Sequence, residues 1–103
     1  MNFVINDELL KEILSELGYS MSSSSDAKSR VISYIKDGAY KINQIAGAEV
    51  DFDTDRDARS LLKSYCIYAD AHILDMWSEN YSTDINGLHH NYRVKEFKEN
   101  ADS

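Results

Sequence analysis

Alternating acidic residues in the middle of the chain are the first candidates for metal chemistry. Every second residue from Asp51 to Asp57 is an aspartate, as in the ligand positions of an EF-hand calcium loop. The rest of that loop is missing, because Arg56 stands where the sharp turn needs glycine and Leu62 stands where a bidentate acid belongs. We therefore expect no calcium site, and we interpret these acids as a helix start, where the helix dipole favours negative charge.

The histidines and the single cysteine lack the spacing of a metal or catalytic site. His89 and His90 are adjacent, so on a helix their side chains diverge by about 100°. Cys66 and His72 are six residues apart and also diverge, and Cys66 falls among apolar residues, where cysteine usually acts as a small hydrophobe. The sequence predicts no catalytic residue, no metal ligand and no cofactor. A small enzyme is disfavoured because no nucleophile–base pair is apparent.

Aromatic residues are the remaining feature that indicates a function. Seven tyrosines and one tryptophan in 103 residues exceed the needs of so small a core. Both residue types are enriched where an apolar surface meets solvent, as at protein interfaces. Phe97 lies in a polar segment, where a large aromatic commonly anchors a segment in a partner's pocket. The candidate interface residues are Phe52, Tyr65, Tyr68, Trp77, Tyr81 and Phe97.

The pattern of apolar residues predicts an all-α fold, a small bundle of three to four helices. Apolar residues recur at steps of three and four, and the chain has no proline to interrupt a helix. One domain over residues 1–92 should hold the helices, and residues 93–103 should form a polar C-terminal tail with too few apolar residues to fold alone. We expect helices near residues 6–17, 25–46, 55–77 and 79–91, the last with a weak point at Asn86-Gly87.

Local signals refine these helices. Asn6 and Thr54 are the expected N-caps of the first and third helices. Gly38 lies on the apolar face of the second helix, where it either lets another helix approach closely or marks a kink. The third helix is predicted to carry a packing seam at steps of four and three, formed by Leu62, Cys66, Ala69, Ile73 and Met76.

The charge balance argues against nucleic-acid and membrane binding. The net charge is −7 and the pI is about 4.8, whereas affinity for phosphates and anionic lipids comes from lysine and arginine. No apolar stretch approaches the roughly 18 residues of a membrane span. The first residues lack the basic region and apolar run of a signal peptide, so we expect a cytoplasmic origin.

The stretch from Asp26 to Tyr92 combines several features of a known family. They are a helix ending in Ile45-Ala46-Gly47, Phe52 before an acidic helix start, Ala58-Arg59-Ser60-Leu61-Leu62 with Tyr65 and Tyr68 following, and Trp77 and Asn80-Tyr81 downstream. With these features the stretch resembles the head–tail connector proteins of tailed bacteriophages, the adaptors that form a ring beneath the portal. Members of this family often carry phenylalanine at the position of Trp77.

The resemblance implies a structural, non-enzymatic protein of the virion neck, assembled in the cytoplasm of the bacterial host. It implies a homo-oligomeric ring, typically twelve-fold, that binds the portal protein on one side and a stopper or tail-completion protein on the other. DNA would pass through the lumen without specific binding, since acidic walls repel its backbone. The alternative is a small acidic regulatory or antitoxin-like binding module that dimerises through the third-helix seam.

Overall fold

A computed structural model describes residues 5–101, with side chains up to Glu99. Within that range the chain forms five α-helices joined by turns and short connections, and no strand is present. The predicted all-α fold is confirmed, although the helices number five rather than three to four. Residues 1–4 of the predicted domain and residues 102–103 of the predicted tail lie outside the described range. The helices are α1 Asp7–Glu16, α2 Ser25–Ala46, α3 Arg56–Asp70, α4 Trp77–Asn80 and α5 Ser82–Ala101, with a 3₁₀ turn at Leu74–Met76.

The first two helices lie within a residue of their predicted bounds. Asn6 caps α1 as expected, since its side-chain oxygen accepts a hydrogen bond from the Leu9 amide at 2.8 Å. Ser24 caps α2 by accepting from the Ala27 amide at 3.2 Å. Gly47 ends α2 with a φ of 69°, a left-handed conformation that glycine adopts without steric cost.

The core lies where α1, α2 and α3 pack together, and Gly38 sets the distance between α2 and α3. A Cβ added at Gly38 would lie 2.7 Å from Cδ1 of Tyr65 and 2.8 Å from Cδ1 of Leu62. The helix α2 runs through Gly38 without interruption. The glycine therefore serves close helix packing. The largest fully buried side chains are Trp77, Leu9, Ile13, Leu14, Ile35, Ile42, Leu62, Val31 and Cys66.

The third helix ends at Asp70, so the prediction that it continues to about Trp77 is wrong. The chain leaves the helix at His72, which has a φ of 60°, and the Ile73 amide donates to the Tyr68 carbonyl at 3.0 Å. After the 3₁₀ turn, Trp77 starts α4 with its side chain only 2% exposed. The bend places the indole in the core, and burial of a large aromatic group favours it.

Because of the bend, the predicted packing seam is wrong for its last two residues, Ile73 and Met76. Leu62 and Cys66 are fully buried, as a seam requires. Ile73 and Met76 lie beyond the end of α3 and are 40% and 46% exposed. The seam therefore holds only for the part that lies within α3, because the helical periodicity that defined it stops at the bend.

The last helix, α5, is longer than predicted and continues through the predicted tail. It shows no break at Asn86-Gly87, and the boundary expected at Arg93 is not a helix end. Leu88 is buried and Tyr92 is half-buried against the body, whereas every side chain from Arg93 to Glu99 is exposed. Residues 93–99 therefore extend beyond the body, and we call them the arm.

No helix between residues 5 and 101 combines the length and the apolar composition that a bilayer crossing requires.

Candidate interaction surfaces

Two of the predicted interface residues, Phe52 and Trp77, are core residues in this structure. Their exposed fractions are 3% and 2%, so neither side chain has a surface to offer a partner. The indole nitrogen of Trp77 donates to the Ser64 hydroxyl at 2.9 Å, and that hydroxyl donates to the Leu61 carbonyl at 2.6 Å. This chain of bonds satisfies the buried polar atoms and holds the indole in the core.

The half-buried tyrosines of the predicted set meet at the bend between α3 and α4. Tyr65 packs edge-on against Trp77 with ring centroids 5.1 Å apart, and Tyr68 packs the same way against Tyr81 at 5.6 Å. Asn80 donates a hydrogen bond to the Tyr68 hydroxyl at 3.1 Å. Each edge-to-face pair contributes about 0.5–1.5 kcal/mol of stability beyond the contribution of the buried area. These aromatic residues therefore stabilise the bend, and only their outer edges reach the surface.

Phe97 is the predicted interface residue that the structure leaves most exposed, at 75%. It lies in the arm, beyond Tyr92. The Tyr92 hydroxyl donates to Oδ2 of Asp55 at 2.6 Å. Burial, followed by this bond to the carboxylate, raises the pKa of Tyr92 to about 12. The phenol thus stays protonated and holds α5 to the start of α3 at neutral pH.

A groove opens between α2, the C-terminal half of α3 and the 3₁₀ turn, and its volume is about 430 Å³. We call it the α2–α3 groove. Sequence reasoning missed it, because its outer wall depends on the unpredicted bend after Asp70. The two tyrosines of the groove lie on different helices, and apolar spacing alone does not show that those helices face each other. The groove is lined by Tyr34, Asp37, Tyr65, Ala69, His72, Leu74 and Asp75.

Two of the aspartates that resemble an EF-hand, Asp53 and Asp55, have structural roles. Asp55, rather than the predicted Thr54, caps α3, and its Oδ1 accepts from the Ala58 amide at 3.0 Å. The carboxylate of Asp53 accepts from the Asn6 side chain at 2.8 Å and so ties the connection to α1. Across the described part of the chain, no group of three or more His, Cys, Asp or Glu residues is placed to hold a metal ion.

A charged network fastens α1 to α3. Glu12 accepts hydrogen bonds from Nε of Arg59 at 2.6 Å and from Nζ of Lys63 at 2.8 Å. Arg59 also donates to the Phe52 carbonyl at 3.0 Å, which fixes the connection before α3. The bond from Lys63, with the nearby Arg59, holds the pKa of Glu12 below its usual value although partial burial opposes this.

Cys66 is buried, and His72 and His89 have structural roles. Burial raises the pKa of the Cys66 thiol to about 12, so the thiolate that nucleophilic chemistry requires is not formed at neutral pH. His89 places its Nδ1 2.9 Å from the carbonyl of Ile45 and links α5 to the end of α2. His72 forms the bend after α3.

Comparisons of the chain with models of protein families, with curated proteins and with solved structures found no match. The functional argument therefore rests on the residues and on the geometry described above.

Proposed function

We propose that the chain is a head–tail connector of a tailed bacteriophage or prophage, an adaptor that forms a ring beneath the portal protein. One observation carries the proposal: α5 extends from the body as an arm with Phe97 three-quarters exposed. A large aromatic residue on an otherwise polar helix is a common anchor for a partner's pocket. An adaptor needs such an extension, because each subunit must hold neighbouring proteins on more than one side.

The acidic surface supports the same role. A cleft of about 300 Å³ between α3 and α5 is lined by Asp55, Asp57 and Asp84, and the whole chain carries a net charge of −7. Acidic walls repel the DNA backbone, so a ring of such subunits would let DNA slide through its lumen. In this function the ring, about twelve-fold, joins the portal to a stopper or tail-completion protein in the neck of the virion. Its subunits are made in the host cytoplasm.

Electron microscopy of the purified chain mixed with the portal protein of the same phage or prophage tests this function. We expect an added ring of density beneath the portal, and we expect neighbouring genes to encode portal, capsid and tail proteins. The matched control for the arm variant Phe97→Ala is Tyr40→Ala, which removes an aromatic side chain that is 57% exposed on α2 and outside the arm. This variant should attach as the unaltered chain does. No density beneath an intact portal would contradict the proposal.

A dimeric regulatory or antitoxin-like module is the second candidate, favoured by apolar surface beside the bend. Ile73 and Met76 are 40% and 46% exposed there, and a two-fold interface would bury both. The mass in solution separates the two functions. A fixed dimer that ignores the portal protein favours the module, whereas larger assemblies that attach to the portal favour the connector.

A further inference from the structure

We propose that the arm of one copy of this chain docks in the α2–α3 groove of a second copy, so that copies join head to tail. The inference deepens the proposed function, because it names the contact that would hold neighbouring subunits of a ring together. It is carried by three properties of the described residues: the composition of one face of the arm, the chemistry of the groove, and their places at opposite ends of the body.

The arm presents an apolar pair flanked by cations on the side that faces away from the body. A helix turns by about 100° per residue, so Phe97 lies about 140° around the helix from Tyr92, which binds Asp55 of the body. Val94 shares the side of Phe97 and is 39% exposed. Arg93 and Lys98 flank this pair, and the glutamates of the arm lie on the other side of the helix. We call Arg93, Val94, Phe97 and Lys98 the arm face.

The α2–α3 groove has the complementary chemistry. Its floor is aromatic and aliphatic, with Tyr34, Tyr65 and Leu74 each half-buried. Asp37 and Asp75 are exposed along its rim. When an aromatic side chain packs against this floor, water is released from both the side chain and the groove, which favours binding. The two acids of the rim can pair with the arginine and the lysine that flank the apolar pair of an arm face.

The arm and the groove lie at opposite ends of the body. The helix α5 runs antiparallel to α3, since Tyr81 packs against Tyr68 near the end of α3 and Tyr92 binds Asp55 at its start. The arm therefore leaves the body beside the start of α3, whereas the groove is formed by the second half of that helix. A contact between unlike surfaces repeats from copy to copy, and it closes into a ring when the rotation between copies permits.

The mass of the full-length chain, measured by sedimentation over a range of concentrations, tests the contact. We expect assemblies larger than the 11.8 kDa monomer, weakened at high salt because rim charges are screened. Phe97→Ala should weaken association about tenfold or more, as removal of a central anchor does. The matched control Tyr40→Ala removes another exposed aromatic side chain, one that lies outside both the arm face and the α2–α3 groove, and this variant should associate normally. A monomeric wild-type chain, or equal effects of the two variants, would overturn the inference.

A mixing experiment distinguishes this head-to-tail contact from a symmetric one. Phe97→Ala spoils the arm and keeps the groove, whereas the double variant Asp37→Lys/Asp75→Lys spoils the groove and keeps the arm. All three changes are at exposed positions, so the variants should fold, and unchanged circular dichroism checks that they do. At a concentration at which the unaltered chain just assembles, each variant alone should be monomeric. An equimolar mixture should then form a 1:1 dimer, in which the intact arm of one variant docks in the intact groove of the other. A mixture that stays monomeric would overturn the inference.

The portal experiment separates failure of this inference from failure of the proposed function. If Phe97→Ala still self-assembles but no longer attaches to the portal, the arm binds the portal and the inference is wrong while the connector function stands. If the chain assembles through the arm and ignores the portal, the inference stands and the connector function fails.

Discussion

The aromatic residues at the bend after α3 and the single phenylalanine of the arm have opposite surroundings. At the bend, Trp77 is 2% exposed and packs edge-on against Tyr65. In the arm, Phe97 is 75% exposed although it belongs to a longer helix. A tight turn returns the chain onto its own core, whereas a continuous helix carries its residues past the core. Whether an aromatic residue is buried in the core or left exposed at the surface is therefore decided by the path of the backbone around it.

Replacing Trp77 should lower the stability more than any other proposed change. A small loss would contradict the contrast between the buried bend and the exposed arm. Trp77→Ala removes a fully buried indole and leaves the Ser64 hydroxyl without its donor, so the free energy of unfolding should fall by about 3–5 kcal/mol. Urea denaturation followed by circular dichroism measures this loss.

Two variants control for the size of the Trp77 effect. Trp77→Phe keeps most of the apolar volume and should cost less than Trp77→Ala. Phe97→Ala should change the free energy of unfolding by less than about 0.5 kcal/mol, since its side chain is exposed. Equal losses for Trp77→Ala and Phe97→Ala would show that the arm belongs to the folded core.

Two helical glycines, Gly38 in α2 and Gly87 in α5, test the same contrast between a packed and an exposed region. Gly38→Ala places a Cβ against Tyr65 and Leu62 and should cost about 1–3 kcal/mol, in spite of the better helix propensity of alanine. Gly87 in α5 has no atom within 4 Å of an added Cβ. Gly87→Ala should therefore raise the free energy of unfolding by about 0.5–1 kcal/mol. Thermal unfolding of both variants checks the opposite signs, and a stabilising Gly38→Ala would contradict the close packing of α2 and α3.

Loss of the ion pairs of Glu12 should lower the free energy of unfolding by a small, pH-dependent amount. Because the folded-state pKa of Glu12 is lowered, its contribution is complete above the usual value of 4.5 and is lost as pH falls through the lowered pKa. Glu12→Gln should cost about 0.5–1 kcal/mol at pH 7, a small amount because the carboxylate is partly solvated. The difference from the unaltered chain should shrink in acid.

Glu96→Gln in the arm is the matched control for the Glu12 prediction. Its side chain is exposed beyond the body. The free energy of unfolding of this variant should therefore stay close to that of the unaltered chain at every pH from 7 to 3. A constant effect of Glu12→Gln over the whole range would show that its charge is not what fastens α1 to α3.

The sequence predicted the elements that depend on local signals. The bounds of α1 and α2 followed from Asn6, from the glycine at position 47 and from apolar spacing, and the role of Gly38 was one of two stated alternatives. The early end of α3 was missed because no proline or glycine marks it, and burial of Trp77 is a tertiary effect. The continuation of α5 past residue 91 was missed because residues 93–103 are polar and carry too few apolar residues to signal a packed helix.

The candidate surfaces were predictable only in part, for the same reason. Phe97 was identified because its neighbours are polar, and that local observation agrees with its exposure. Phe52 and Trp77 were grouped with it by residue type, but both fill the core. The α2–α3 groove needs the bend after Asp70 and the approach of two helices, neither of which apolar spacing specifies.

Removal of the arm tests most directly the central claim that the body folds alone and the arm serves a partner. A chain truncated after Tyr92 should keep its anchor to Asp55 and unfold at nearly the same urea concentration as the full chain. It should also be monomeric in sedimentation and should attach to the portal protein more weakly. A truncated chain that failed to fold would place the arm in the core, and one that assembled and attached normally would leave the arm without the proposed role.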